Sequence, residues 1–441
     1  MSTSDSGIRI VESHCLSDAQ DFKDKLLYWS DQFSHCAFLD SNNWTQDVYS
    51  RCDLLVGVGS RSIVVSKAGN AFDQLAAFHD FHQDWLFGCL SYDLKNETEA
   101  LNSSNSSQLL FPDLCFFQPR FVFELKGNDL DIHKFPEDDL VDVFREVMDW
   151  KIDWKRAIQN SVHLQQKMDR DYYLSTVRKI KQDIVEGTFY EMNFCQEFFA
   201  ENVIAHPVQL FDELNKNGKS PYAAYLKLGD QYLLCDSPER FLQKKGSTLL
   251  SQPIKGTIRR GETADEDQEL RRALMSDPKE RAENVMIVDL VRNDLTRSAV
   301  FGTIEVEELC ETYSFERVHH LISTIRAELQ PDKHWMEGIR NAFPMGSMTG
   351  APKIKVMELI ELYERSRRGI YSGSVGYISP VGDFDFNVVI RSLMYNAVSQ
   401  YLSFQIGGAI TYDSVPEKEY EECLLKAQGM LRVLHTGPLR F

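Results

Sequence analysis

Apolar residues recur along the chain with two different periods, which together predict both helices and strands. Within 171–186, the side chains of Leu174, Val177 and Ile184 follow one another at near-helical spacing. Gly187 comes next and is suited to cap the C-terminus of a helix. This segment is therefore predicted to be an amphipathic helix that opens the second half of the chain.

Short runs rich in aromatic and β-branched residues predict strands. In the first half they surround a polar, low-complexity stretch at 95–108, which predicts an exposed loop. Strands alternating with long helices, without a repeat of solenoid length, predict an α/β fold of the α+β type. The predicted strands are 85–94, 114–117, 120–125, 224–227, 232–235, 386–392 and 401–406.

Composition narrows the class of protein. The 441 residues are 43% hydrophobic and carry a formal net charge of −18, which argues against nucleic acid or an anionic membrane as a partner. No apolar run reaches the ~20 residues that span a bilayer, and the N-terminus does not have the pattern of a signal peptide. The nine cysteines are scattered without a C-x-x-C pair and are predicted to be reduced. We expect a cytoplasmic protein.

Two pairs of glutamates are candidates for metal ligands. Glu280 and Glu283 are three residues apart on a predicted helix, so both side chains leave the same face. Asp277 and Pro278 suit the start of that helix, which leaves open that Glu280 is only half of a capping box.

The second pair has the same spacing near the C-terminus. Glu419, Glu422 and Lys426 lie beside the apolar stripe of their helix, and a solvated helix face is the alternative. Two such carboxylate pairs could ligate one Mg²⁺ ion together with waters and substrate oxygens.

Three segments could hold an anionic substrate. Residues 346–350 form a glycine-bounded, flexible loop that runs into a helix, where free N–H groups favour an anion. Gly407, Gly408 and Ala409 follow a predicted strand and offer a backbone cradle. Arg391 interrupts an apolar strand, and a structural salt bridge is its alternative role.

Five sequence motifs occur in an order that resembles one enzyme family. They are Ser237-Pro238-Glu239-Arg240-Phe241, Gln252-Pro253-Ile254-Lys255-Gly256-Thr257, Asp277-Pro278-Lys279-Glu280-Arg281-Ala282-Glu283-Asn284, Gly346-Ser347-Met348-Thr349-Gly350-Ala351-Pro352-Lys353 and Ile370-Tyr371-Ser372-Gly373-Ser374-Val375-Gly376-Tyr377. The set resembles the chorismate-utilising enzymes over about residues 165–435.

The resemblance implies an architecture. It implies two large, mostly antiparallel sheets flanking helices in a layered sandwich, with the active site in the cleft between them. It also implies an N-terminal subdomain of the anthranilate synthase component I type at 1–160 and a chorismate-binding catalytic domain at 165–435. Residues 38–41 are loosely similar to the tryptophan-binding motif of anthranilate synthases, although an ordinary turn is the alternative.

The resemblance also implies a reaction. The residue before Gly-Thr is usually alanine in anthranilate synthases and lysine in aminodeoxychorismate synthases, and this chain has Lys255. Chorismate would then be aminated at C4, with Lys255 adding to C2 and Glu239 acting as the acid. The amine must be neutral to attack, so we expect the pKa of Lys255 to be lowered. Position 191 is glutamate where aminating relatives commonly have glutamine, and its role stays open.

The remaining site residues follow from the same resemblance. Mg²⁺ would bind the two glutamate pairs, and His320 would act near the ring. The residues implied for substrate binding are Gly256, Thr257, Ser347, Tyr371, Arg391, Gly407, Gly408, Ala409 and Lys426.

The implied partners are chorismate, ammonia and a separate glutamine amidotransferase subunit. No cysteine of this chain lies in the glycine-flanked elbow that a glutaminase nucleophile needs. Two alternatives remain open. One is anthranilate synthase component I, and the other is a non-catalytic, chorismate-binding regulatory subunit.

Overall fold

The computed structural model describes residues 8–435, and strands and helices are mixed along this part of the chain. The elements up to residue 185 are β1 (Ile10–Cys15), α1 (Ala19–Ser30), β2 (His35–Asp40), β3 (Leu54–Ser66), α2 (Ala71–His82), β4 (Leu86–Leu90), α3 (Lys95–Thr98), β5 (Leu114–Lys126), β6 (Asp129–Lys134), α4 (Val143–Met148), β7 (Gln165–Gln166) and α5 (Arg170–Val185).

The elements after residue 185 alternate in the same way. They are β8 (Glu191–Ala200), α6 (Pro207–Gly218), β9 (Tyr222–Leu228), β10 (Gln231–Ser237), β11 (Arg240–Lys245), β12 (Thr248–Gln252), β13 (Ile254–Arg259), α7 (Ala264–Ser276), α8 (Pro278–Thr296), β14 (Glu305–Ser314), β15 (Val318–Glu328), α9 (Trp335–Ala342), β16 (Gly350–Ala351), α10 (Lys353–Tyr363), β17 (Ser374–Ile378), β18 (Phe384–Asn387), β19 (Ser392–Asn396), β20 (Tyr401–Ile410) and α11 (Pro416–Val433).

The predicted mixed, mostly antiparallel α/β fold is confirmed. One run of strands follows the order β8, β20, β19, β10, β9, β2 and β3. A second run follows the order β4, β17, β18, β11, β12 and β15. Strand β13 pairs with the same edge of β15 as β12 does, and β14 pairs with the opposite edge of β15. The long strands β3 and β5 join the two runs, because β5 pairs with β3 along most of its length and with β4 near its start.

The helix predicted at 171–186 is confirmed as α5. The Asp169 side chain accepts a hydrogen bond from the backbone of Tyr172 and caps its N-terminus, while Gly187 follows its C-terminus with a φ of +79°. The buried stripe of α5 includes Leu174 and Val177 and packs beside α11 and β20. The apolar residues of α5 therefore form the face that packs against β20, a strand that lies beside the candidate site.

Two predictions about where strands are interrupted need correction. The segments 114–117 and 120–125 form one strand, β5, because Pro119 lies beside a register shift between Ser60 and Ser62, where the ladder is already interrupted. The predicted strand 386–392 is instead two strands, and residues 388–391 between them are irregular. Arg391 has a φ of +52° there, so it marks a break between strands and does not lie within one.

Three further boundaries differ from the predictions. The strand predicted at 85–94 ends at Leu90, and the polar stretch after it begins with α3, where Lys95 is buried. The strand predicted to end at 406 continues through Ile410, so Gly407, Gly408 and Ala409 lie within β20. Residues 346–350 do not form an open loop. They form a buried turn and the start of β16, and Asn193 is hydrogen-bonded to their backbone.

Candidate active site

A buried ion pair joins the two runs of strands at the candidate site. The Nζ atom of Lys255 on β13 lies 2.6 Å from Oε1 of Glu191 on β8. The lysine side chain is 12% exposed and the glutamate 1%. Lys255 and Gly256 lie at a register shift of β13 against β15, between Ile254 and Thr257, and such a bulge re-aims a side chain.

Asn284 and Gly256 fix the backbone around Lys255. The Asn284 side-chain amide donates to the carbonyl oxygens of Lys255, at 3.1 Å, and of Leu321, at 3.3 Å. Gly256 has a φ of +96°, and a Cβ there would lie 2.9 Å from Leu321 and 3.2 Å from the Oε2 atom of Glu280. Glycine at this position therefore lets β13 approach the carboxylates of α8.

The expectation of a lowered pKa for Lys255 is wrong in this structure. Burial is the largest single influence and lowers the pKa, but Glu191, Glu283 and Glu239 together outweigh it, and the net shift is upward. The lysine is therefore held as an ammonium group. An amine nucleophile at this position needs a proton acceptor.

Glu239 has the properties of a general acid. The residue is 4% exposed, and burial raises the pKa of its carboxyl group to about 7, against the opposing influence of Ser347, Lys255 and Arg391. The Ser347 hydroxyl lies beside this carboxyl group but has no partner of good hydrogen-bond geometry within residues 8–435. A carboxyl group with a pKa near 7 can donate a proton at neutral pH.

His320 connects two of the predicted substrate-binding residues. Its Nδ1 atom lies 2.8 Å from the Thr257 hydroxyl, and its Nε2 atom lies 3.0 Å from a guanidinium nitrogen of Arg391. Burial and the nearby Arg391 lower the pKa of His320 well below its usual range. The imidazole is therefore neutral and holds Arg391 and Thr257 in place.

Tyr371 is close to Arg391 through the backbone. The Ser372 N–H donates to the carbonyl oxygen of Val389, two residues before Arg391, at 2.9 Å. The Tyr371 side chain is buried, and its hydroxyl lies 3.5 Å from the Sγ atom of Cys195 on β8. Tyr371 and Arg391 are thus presented from segments that lie side by side.

The first glutamate pair lies on α8 as predicted. The Asp277 side chain accepts hydrogen bonds from the backbone N–H groups of Lys279 and Glu280 and so caps the helix. The backbone N–H of Asp277 donates to Leu274 at 3.3 Å, so the preceding helix uses the donor that a capping box would give to Glu280. The Glu280 carboxylate is directed towards Gly256.

The second glutamate pair faces the first from α11. A Cβ added to Gly408 would lie 3.6 Å from the Oε2 atom of Glu419 and 4.0 Å from Oε1 of Glu422. Charge interactions link Glu280 to Glu422, so the two pairs are close enough to influence each other. Lys426 pairs with Glu422 at 2.8 Å and donates to the Gly407 carbonyl at 3.1 Å.

The backbone of β20 is available beside these glutamates. The neighbouring strand β19 pairs with β20 only as far as Ser403. The edge at Gly407, Gly408 and Ala409 therefore has no strand partner within residues 8–435 on that side. Gly407 must be glycine, because a Cβ would lie 2.3 Å from the carbonyl oxygen of Phe194. This open edge suits the predicted backbone cradle.

The acidic cluster suits a divalent cation in its chemistry. Burial raises the pKa of Glu280 and Glu419, and it raises that of Glu283 to about 7. In their present positions, no three carboxylate, imidazole or thiol groups of residues 8–435 surround a common point that could hold an ion. Lys279 lies 3.8 Å from Glu283, and Lys426 pairs with the carboxylate of Glu422. The oxygen donors fit Mg²⁺, but binding would require these side chains to turn away from the lysines.

Two residues beside Lys255 were not assigned roles from the sequence. Asn284 anchors the Lys255 backbone, and Glu191 binds its amine. Asn284 lies within the motif that contains Glu283, but only the fold shows which backbone groups its amide contacts. Glu191 was recognisable only as a departure from the common glutamine.

The segment similar to a tryptophan-binding motif lies beside a separate cavity. Phe38 to Asp40 belong to β2, and Ser41 follows it. Leu39, Asp40 and Ser41 line this cavity, together with Arg240. The tryptophan prediction stays a prediction.

Comparisons with known proteins show the family of this chain. A family model described as chorismate binding enzyme matches residues 34–432. "Aminodeoxychorismate synthase component 1" from Bacillus subtilis is 34% identical over 373 residues, covering 82% of this chain and 78% of the relative. "Anthranilate synthase component 1" from Thermus thermophilus is 35% identical over 362 residues, covering 80% and 78%. The solved anthranilate synthase component I from Streptococcus pneumoniae has a TM-score of 0.77 at 25% identity and covers 85% of this chain and 91% of that one.

The fold and the site together define a chorismate-utilising enzyme. More specifically, the chain belongs to the chorismate binding enzyme family, whose model spans nearly its whole length. Among residues 8–435, no helix is both long and apolar enough to cross a membrane.

Proposed function

We propose that this protein is the chorismate-aminating component of an aminodeoxychorismate synthase. It would replace the C4 hydroxyl group of chorismate with an amine and give 4-amino-4-deoxychorismate, for p-aminobenzoate and folate synthesis in the cytoplasm. The relative from Bacillus subtilis carries this name, and the lysine at position 255 agrees with the aminating group.

The observation that carries the proposal is the position of Lys255 beside Glu239. Charge interactions link the Lys255 amine to the Glu239 carboxyl group, whose pKa of about 7 suits an acid. The lysine would add to C2 while Glu239 protonates the departing C4 oxygen. Ammonia would then form the bond to C4 and expel the lysine, which divides a difficult displacement into two easier steps.

The other side chains would bind and orient the dianion. Arg391 and Tyr371 would hold the enolpyruvyl carboxylate, and the open edge of β20 would contact the other carboxylate. When bound, Mg²⁺ would neutralise the ring carboxylate and stabilise developing charge. The two glutamate pairs on α8 and α11 would hold this ion, and the raised pKa values of three of the four carboxyl groups support such a role.

Ammonia would come from a separate glutamine amidotransferase subunit. The name "component 1" of the Bacillus subtilis relative is consistent with a second component. The nine cysteines supply no glutaminase elbow within this sequence. Ammonium salts should replace the partner in a purified system.

A second candidate is anthranilate synthesis, because the Thermus thermophilus relative with that name is similarly close. The two products are distinguished by incubating the protein with chorismate, MgCl₂ and ammonium chloride and analysing the products by mass spectrometry. The proposal predicts a product that retains the enolpyruvyl group. Anthranilate and pyruvate would favour the second candidate, and chorismate binding without any ammonia-dependent product would favour a regulatory subunit.

A further inference from the structure

Glu191 is a buried carboxylate for which the proposed reaction has so far given no role. One of its oxygens, Oε1, lies 2.6 Å from the Lys255 amine. The other, Oε2, is buried and has no hydrogen-bond partner among residues 8–435. Since the glutamate side chain is 1% exposed, bulk water does not surround it. Within residues 8–435, the one hydrogen bond of the Glu191 side chain is therefore with the proposed nucleophile.

The three carboxylates with the largest influence on the Lys255 amine come from three different elements, and Glu280 and Glu422 also interact with it. Glu191 comes from β8, Glu283 from α8, and Glu239 from the turn between β10 and β11. In the described part of the chain, only Glu191 forms a hydrogen bond with the amine. Glu239 is needed as the acid at the departing oxygen, and Glu283 belongs to the proposed metal cluster. Glu191 is therefore the acceptor to which the lysine can pass its proton directly.

We propose that Glu191 is a further catalytic residue, the base that deprotonates Lys255. This inference rests on the proposed function. In the forward step an N–H bond of the Lys255 ammonium breaks, its electron pair stays on Nζ, and an O–H bond forms on the Glu191 carboxylate. When ammonia later expels the lysine, the same proton returns to Nζ. Proton and charge are conserved within the pair, and no further reagent is required.

The Glu191→Gln variant separates a base from a residue that merely holds the lysine. Glutamine keeps the shape and a carbonyl acceptor, but it cannot take the proton. If Glu191 only held Lys255 in its charged form, replacing the glutamate would lower the pKa of Lys255. More of the lysine would then be neutral, and the adduct would form faster. If Glu191 is the base, the same replacement should slow adduct formation. The two roles predict opposite changes.

The experiment measures how fast chorismate attaches to Lys255 in the absence of ammonium. Wild type and Glu191→Gln are mixed with chorismate and MgCl₂, quenched at intervals and analysed by intact-protein mass spectrometry with peptide mapping. We expect the variant to form the adduct about a hundredfold more slowly at pH 7. The ratio of variant to wild-type rates should rise with pH, by up to about tenfold per unit, because free lysine then supplies the neutral amine. An equal or faster rate in the variant overturns the inference.

A second buried glutamate on β8 provides a matched control. Glu197 accepts a hydrogen bond from Tyr401 at 3.0 Å, and Glu197→Gln should form the adduct at the wild-type rate.

If Glu191→Gln does not fold, Glu191→Asp replaces it as the test variant. Aspartate keeps the carboxylate but has a shorter reach, so it should slow adduct formation about tenfold. A wild-type rate in Glu191→Asp contradicts the inference. Wild type that makes C4-aminated product without an adduct also overturns it, whereas wild type that makes no aminated product contradicts the proposed function itself.

Discussion

The guanidinium group of Arg391 lies 3.0 Å from the Nε2 atom of His320, and this contact determines the tautomer of the imidazole. A guanidinium group can only donate hydrogen bonds, so Nε2 must accept and Nδ1 must carry the proton. Nδ1 then donates to Thr257 at 2.8 Å. Both ring nitrogens of His320 are thus hydrogen-bonded in this structure, and its predicted catalytic role near the ring stays a prediction.

Arg391→Lys should impair the use of chorismate while leaving the protein folded. Lysine keeps the positive charge but cannot form the planar, two-pronged contact with a carboxylate. We expect kcat/KM for chorismate to fall about 10- to 100-fold, as for the loss of one hydrogen bond between charged groups. Steady-state kinetics check this, with Arg292→Lys on an exposed face of α8 as the control. An unchanged kcat/KM would remove Arg391 from the site.

Glu239→Gln should remove the acid and change the pH dependence of the reaction. The carboxyl group has a pKa of about 7, so its protonated fraction, and with it kcat, should fall about tenfold per pH unit above that value. Glutamine cannot supply the proton, so the variant should be slow at every pH. Its kcat should also not show the fall above pH 7 that is expected for wild type. A pH–rate profile that is the same in both proteins would argue against Glu239 as the acid.

The same substitution should affect stability with a definite sign. Burial raises the pKa of Glu239, so the folded state binds its proton more tightly than the unfolded state does. Stability is therefore lost as pH rises from about 4.3, the ordinary pKa, through about 7. The melting temperature of Glu239→Gln minus that of wild type should be larger at pH 8 than at pH 5. Thermal unfolding of both proteins at the two pH values measures this difference, and the same value at both would contradict the prediction.

The sequence predicted local features better than contacts between distant segments. The period of Leu174 and Val177 identified α5, and Asp277 was recognisable as the cap of α8. The apolar run at 386–392 suggested one strand, because no local signal marks the left-handed conformation of Arg391.

The largest error at the site had the same physical cause. The pKa of Lys255 was expected to fall, since burial and a nearby Mg²⁺ would outweigh Glu239 and the metal-binding glutamates. Glu191 is 64 residues earlier in the chain, and only the meeting of β8 and β13 brings it to 2.6 Å from the amine. The motifs therefore indicated candidate residues for the site, whereas the protonation of Lys255 depended on the tertiary fold.

Glu280→Ala and Glu419→Ala should each weaken Mg²⁺-dependent turnover without unfolding the protein. Both carboxylates have raised pKa values caused chiefly by burial, so removing either one does not remove a stabilising charge. We expect the Mg²⁺ concentration for half-maximal activity to rise about tenfold or more, as expected for the loss of one oxygen ligand. Turnover is measured across a MgCl₂ titration, with melting temperatures recorded in parallel.

The control for these variants is Glu421→Ala, an exposed glutamate on α11 beside the second pair. It should have the Mg²⁺ dependence of wild type. If Glu280→Ala only lowers the melting temperature and turns over normally at every Mg²⁺ concentration, Glu280 has a structural role in α8 and not a role in metal binding.

The most direct test of the account compares wild type with Lys255→Ala for both the covalent adduct and the product. In wild type, chorismate without ammonium should give an adduct that maps to Lys255, and ammonium should convert it into the C4-aminated product. Lys255→Ala should form no adduct and make this product much more slowly, with any remaining amination directed to C2. If no adduct maps to Lys255 and the alanine variant makes 4-amino-4-deoxychorismate at the wild-type rate, Lys255 is not the nucleophile and the central claim is wrong.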